Sequence, residues 1–136
     1  MKYFSIIKRK NILNKLPDLN YGIVASCPGV TLLESDLNYW KNSNSNEIGD
    51  DIDEAVNLQG DVFRFIAGTL SKNDLEKLIK SKKDKGWFKN IWIPNLDEVK
   101  TDDKLNYSPI PYFEKVNQPI LIVQGTKDEI IPLESS

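Results

Sequence analysis

The residue whose placement most invites chemistry is Asp128. It follows the run Ile120-Leu121-Ile122-Val123, with Gln124, Gly125, Thr126 and Lys127 between. A short continuous apolar run of this kind reads as a strand buried on both faces, as in a parallel sheet covered by helices. Open α/β sheets carry their reacting groups just past the C-terminal ends of such strands. A carboxylate there can orient a base and stabilise the charge that forms on it. Aspartate also closes turns through its own side chain, so position alone leaves both roles open. Histidine sets the limit, because the sequence has 0. No Ser-His-Asp or Cys-His machinery is complete within these residues.

Three other groups of residues carry possible chemistry. Trp87, Phe88 and Trp92 could line a pocket for an acyl group, and packing within a helical layer explains them equally well. The lysines from Lys72 to Lys89 are interleaved with Asp74, Glu76 and Asp84, the pattern of a solvated helix face. Asp50, Asp51, Asp53 and Glu54 lack the glycine and terminal glutamate of an EF-hand loop, and the favourable dipole at a helix start accounts for them. With one cysteine and no histidine, neither a Cys-rich zinc site nor an internal disulfide is expected. No metal and no cofactor is implied. The net charge of -2 argues against a nucleic-acid partner, and no apolar run is long enough for a membrane span. The N-terminal apolar stretch is interrupted at Lys8, Arg9 and Lys10, too early for a secretory signal, so a cytoplasmic location is expected.

The elements that must position these residues follow from apolar periodicity. Residues 3–16 show a loose helical stripe, broken at Pro17. Tyr21 to Cys27, closed by Pro28-Gly29, reads as a first buried parallel strand, and residues 120–124 as a second. Thr31 and Glu34 make a capping box ahead of Leu33, Leu37 and Trp40; Asn42 to Asn46 read as a polar loop. A helical face runs from Ile52 to Ile66 and stops at Gly68. The next helix is capped by Ser71, stapled by Leu70 onto Leu75, and closed at Gly86. Pro132 and Glu134 suit the first turn of a further helix. The expected class is α/β: two buried parallel strands with helices inserted between them. Residues 1–30 hold the first helix and strand, 31–106 the helical insertion, and 107–136 the second strand and its acidic loop. With so little sheet, an incomplete domain is expected, and its exposed edges would favour self-association.

The stretch Pro119-Ile120-Leu121-Ile122-Val123-Gln124-Gly125-Thr126-Lys127-Asp128-Glu129-Ile130-Ile131-Pro132 resembles the acid-bearing segment of the α/β-hydrolase superfamily. Tyr107 to Val116 resembles that family's lead-in to the strand, and Tyr21 to Val30 its strand before the cap. The likeness is nearest to bacterial serine esterases of the prolyl-oligopeptidase and dienelactone-hydrolase branches. It implies a partial α/β-hydrolase fold, with residues 31–106 as a cap and Asp128 as the triad acid. It also implies a small-molecule ester or acyl substrate in the parent protein. Two parts of the family pattern are missing: no G-x-S-x-G precedes Tyr21, and no histidine follows Asp128. The rival expectation is a non-enzymatic, truncated or degenerate relative that acts as an interaction module.

Neither Ser26 nor Cys27 supplies the nucleophile. Val24 and Pro28 flank Ser26 where the elbow needs small residues, and Cys27 is followed by Pro28, which lacks the N–H that an oxyanion hole uses. The 136-residue chain alone is therefore expected to leave a short-chain nitrophenyl ester at its buffer rate. Turnover that disappeared on Ser26→Ala or Cys27→Ala would contradict this.

Overall fold

The computed structural model describes residues 20–25, 29–128 and 130. The stripe at residues 3–16, Ser26, Cys27 and the segment around Pro132 lie outside the described residues. Strand β1 (Gly22–Ala25) pairs in parallel with β2 (Ile120–Val123), from Gly22 opposite Ile120 to Ala25 opposite Val123. Between them run α1 (Leu32–Ile48), α2 (Ile52–Ile66), α3 (Lys72–Lys82) and the short α4 (Ile110–Phe113). The class is α/β, with a helical insertion between two parallel strands.

Helix α1 starts on the expected capping box. The Glu34 N–H donates to Thr31 Oγ1 at 3.2 Å, and the Thr31 N–H donates to Glu34 Oε2 at 2.7 Å. The helix does not stop at Asn42, where the composition predicts a loop, but runs on to Ile48. Trp40 and Ile48 pack against the hydrophobic cluster on either side of the polar stretch, and that packing overrides local propensity. Asn44 Nδ2 donates to the Trp40 carbonyl at 2.8 Å, so one of these polar side chains binds its own helix backbone.

Helix α2 ends as predicted. Gly68 takes φ of 77°, and a Cβ there would come 2.7 Å from Thr101 Cγ2, so the position needs glycine twice over. Helix α3 begins on Ser71, whose Oγ accepts from the Asp74 N–H at 3.2 Å. Leu75 beneath it is fully buried. Its end falls at Lys82 rather than Gly86, which instead opens a 3₁₀ turn, Gly86–Asn90. That turn carries Trp87 into the core formed with Ala55, Leu58, Val62, Leu75 and Ile91.

The strands are less buried than their apolar sequences predict. Ile23, Leu121 and Val123 are each about half exposed, at 52%, 57% and 49%. With Ala25, also exposed, they alternate onto one face of the sheet. Val24, on the opposite face, is buried. Ile122, which shares the face of Val24, is nevertheless 48% exposed, so both faces meet solvent and the Ile23 face does so more fully. Among the described residues, no helix is long and apolar enough to cross a membrane.

The lysine-rich end of α3 is compensated. Lys82 and Lys85 both reach Glu54, at 2.6 and 3.2 Å, and Lys89 reaches Glu47 at 3.1 Å. Hydrogen bonds from Lys82 and then Lys85 hold the Glu54 carboxyl below its ordinary value. A lowered value stabilises the fold above the ordinary glutamate range, and that contribution is lost as pH falls through the folded value. Glu54→Gln should therefore lower the melting temperature at neutral pH, and the gap to wild type should close in acid. A gap of constant size from neutral pH down to well below the carboxylate range would contradict this.

Candidate functional site

Asp128 stands where the sequence places it, beyond the C-terminal end of β2. Its N–H donates to the Gly125 carbonyl at 3.1 Å, which closes the turn after the strand. Both carboxylate oxygens are held. The Ile130 N–H donates to Oδ1 at 3.0 Å, and Gln124 Nε2 donates to Oδ2 at 3.2 Å. One donor is thus the local backbone and the other a side chain at the strand's end. Asp128 itself is half-buried.

A third residue ties this loop to the helical insertion. Asn38 Nδ2, on α1, donates to the Ile130 carbonyl at 3.4 Å. The Ile130 backbone therefore meets Asn38 through its carbonyl and Asp128 through its N–H.

The three aromatic candidates lie within the helical insertion and have different surroundings. Trp87 is buried in the core, and Phe88 packs half-buried against it. Trp92 is 53% exposed, with its ring tilted against Phe63 at 6.4 Å between centroids. The Trp92 backbone is fixed by Gln59, a fully buried residue of α2. Gln59 Oε1 accepts from the Trp92 N–H at 2.9 Å, and Gln59 Nε2 donates to the Trp92 carbonyl at 3.2 Å. This two-point clamp satisfies an irregular segment that has no ladder partner. Of the three residues, Trp92 is the most exposed.

Two of the four acidic residues near the start of α2, Asp53 and Glu54, are engaged in ion pairs. Lys41 pairs with Asp53 at 2.9 Å, and Glu54 holds two lysines as described. Among the described residues, no group of histidine, cysteine, aspartate and glutamate side chains could hold a metal ion.

Sequence reasoning missed Gln59, Gln124 and Asn38. Gln59 left a trace, since Ala55, Gln59 and Val62 share one apolar helix face, where a glutamine needs a buried partner. Nothing in the sequence pairs Asn38 with a loop 92 residues away. No family model, curated protein or solved structure matches the chain.

Gln59→Leu keeps the size of the side chain but strands the N–H and carbonyl of Trp92. The expected loss is about 1–2 kcal/mol, two part-buried groups deprived of partners. Urea unfolding with an unchanged slope would measure it, and a loss below about 0.5 kcal/mol would contradict the clamp.

Proposed function

We propose that this chain is the acid-bearing segment of a serine hydrolase that cleaves carboxylic esters or related acyl bonds. Asp128 is its triad acid. The observation that carries this reading is the carboxylate itself, held through both oxygens just past the C-terminal end of a parallel strand. A triad acid must be fixed before it can fix a base. In the reaction it accepts the N–H of an imidazole, sets the tautomer of that ring, and stabilises the imidazolium formed when the serine proton is taken up. The serine and the histidine are supplied by residues other than these 136, which contain no histidine. Residues 31–106 act as a cap. Trp92, displayed by the Gln59 clamp and backed by Phe63, offers an apolar wall to the acyl group. Trp87 and Phe88 shape the layer behind it.

A second reading is supported by the bare sheet face. Ile23, Leu121 and Val123 expose apolar surface of the kind that marks an interaction site, as in a non-enzymatic relative that binds a partner. The genomic sequence on either side separates the two. An in-frame G-x-S-x-G upstream and a histidine downstream are expected for the hydrolase. Flanking sequence with neither favours the interaction module. In the joined product, Asp128→Asn should preserve the fold and lower kcat on a short-chain nitrophenyl ester by about 10⁴. Near-normal turnover by that variant would remove Asp128 from the mechanism.

A further inference from the structure

We infer that Gln124 and Asn38 are the positioning residues that aim the Asp128 carboxylate, and that through Asn38 the helical insertion takes part in that aim. This rests on the reading of Asp128 as a triad acid. The two act on opposite sides of the carboxyl group. Gln124 is the first residue after β2, so its side chain starts from a backbone whose register is fixed by pairing with β1. From there Nε2 reaches Oδ2 at 3.2 Å. Asn38 acts one step removed. It holds the carbonyl of Ile130 at 3.4 Å, and the N–H of that same residue holds Oδ1 at 3.0 Å. The carboxylate thus lies between a donor anchored in the sheet and a donor whose residue is anchored to helix α1.

Local turn chemistry does not require this arrangement. An aspartate that only closes a turn needs its own backbone and a neighbouring N–H. Here a long side chain from the strand and an amide from a helix 92 residues away are added. The Gln124 amide also bears a cost. Its Oε1 is buried and, among the described residues, has no hydrogen-bond partner. An unpaired buried carbonyl is unfavourable, and such costs are retained where geometry serves a site. Rotation of the carboxylate would break a hydrogen bond on each side, so a donor anchored in the sheet and a donor tied to α1 both restrain its plane. An imidazole that pairs with this acid would meet a carboxylate restrained in its orientation.

The test needs no catalytic activity. In the isotope-labelled full chain, nuclear magnetic resonance would follow the Asp128 carboxyl carbon and the exchange of the Ile130 amide, with the Leu58 amide of the α2 core as internal control. Gln124→Met should displace the Asp128 carboxyl resonance, which a role confined to packing at the strand end would leave in place. Asn38→Ala should speed Ile130 exchange by up to about tenfold, because loss of the tether on the Ile130 carbonyl lets the turn that holds its N–H on Asp128 open more often. Both changes are expected with Leu58 unaltered. Unchanged Asp128 and Ile130 signals, or changes that spread equally to Leu58, would overturn the inference. Flanking sequence without a serine elbow or a histidine would instead overturn the hydrolase reading and leave these two contacts in place.

Discussion

Parallel pairing of β1 with β2 is the constraint on which the remainder of the fold depends. Parallel strands cannot be joined by a tight turn, so the chain must leave one end of the sheet and return to the other. The long helical insertion is the return path, and it far exceeds the roughly dozen residues that such a crossover needs. The register brings the C-terminal ends of both strands to one edge, and the Gly22 N–H donates to the Pro119 carbonyl at 2.9 Å to extend the pairing. The acidic loop leaves from that edge. Its position is thus a consequence of strand direction before any side chain is considered.

An insertion of this length must supply its own core, because two four-residue strands cannot support it. It does so with Ala55, Leu58 and Val62 on α2, Leu75 on α3, and Trp87 and Ile91 beyond. Gly60 lets α1 approach α2 closely; a Cβ there would lie 3.2 Å from Leu37 Cδ2. The irregular segment after Trp87 has no ladder, and Gln59 satisfies it from within the core. The charges stay at the rim, where Glu54 and Glu47 meet lysines near the end of α3. Partial desolvation raises the Asp36 carboxyl of α1 above its ordinary value. The result is a unit rigid enough to hold Asn38 against a loop outside it.

What could be read from sequence was what local chemistry decides. Thr31 with Glu34, Ser71 with Asp74, and Gly68 are signals carried within a few residues, and each lies where the pattern puts it. The two strands and their direction were legible because continuous apolar runs separated by helices permit little else. The polar stretch Asn42 to Asn46 was misleading, because the packing of Trp40 and Ile48 that keeps it helical depends on α2 and α3. Burial of the strands was misleading for the opposite reason. An apolar run states what a strand could bury, and the neighbours that cover it are a property of the whole assembly. At the candidate site, Asp128 was legible from its distance to the strand, whereas Gln124 and Asn38 act through the third dimension alone.

The bare sheet face and the braced carboxylate belong to one physical argument. Ile23, Leu121 and Val123 present the side chains that a parallel sheet ordinarily buries under helices. Covering each side chain fully is favourable by about 1.5–3 kcal/mol relative to full exposure, and half exposure forgoes part of that. A sequence that served only the helical unit would gain by placing polar residues there, as antiparallel sheets with one wet face do. Apolar residues at these positions are consistent with a face that is covered when the sheet is in use. The acidic loop lies beyond the end of the strands rather than on that face, so covering the sheet need not obstruct Asp128. Further strands or helices added at the face would stiffen β2, hence Gln124, hence one side of the carboxylate. Under the hydrolase reading, sheet completion and acid alignment are then mechanically linked, and the helical insertion contributes the other side through Asn38.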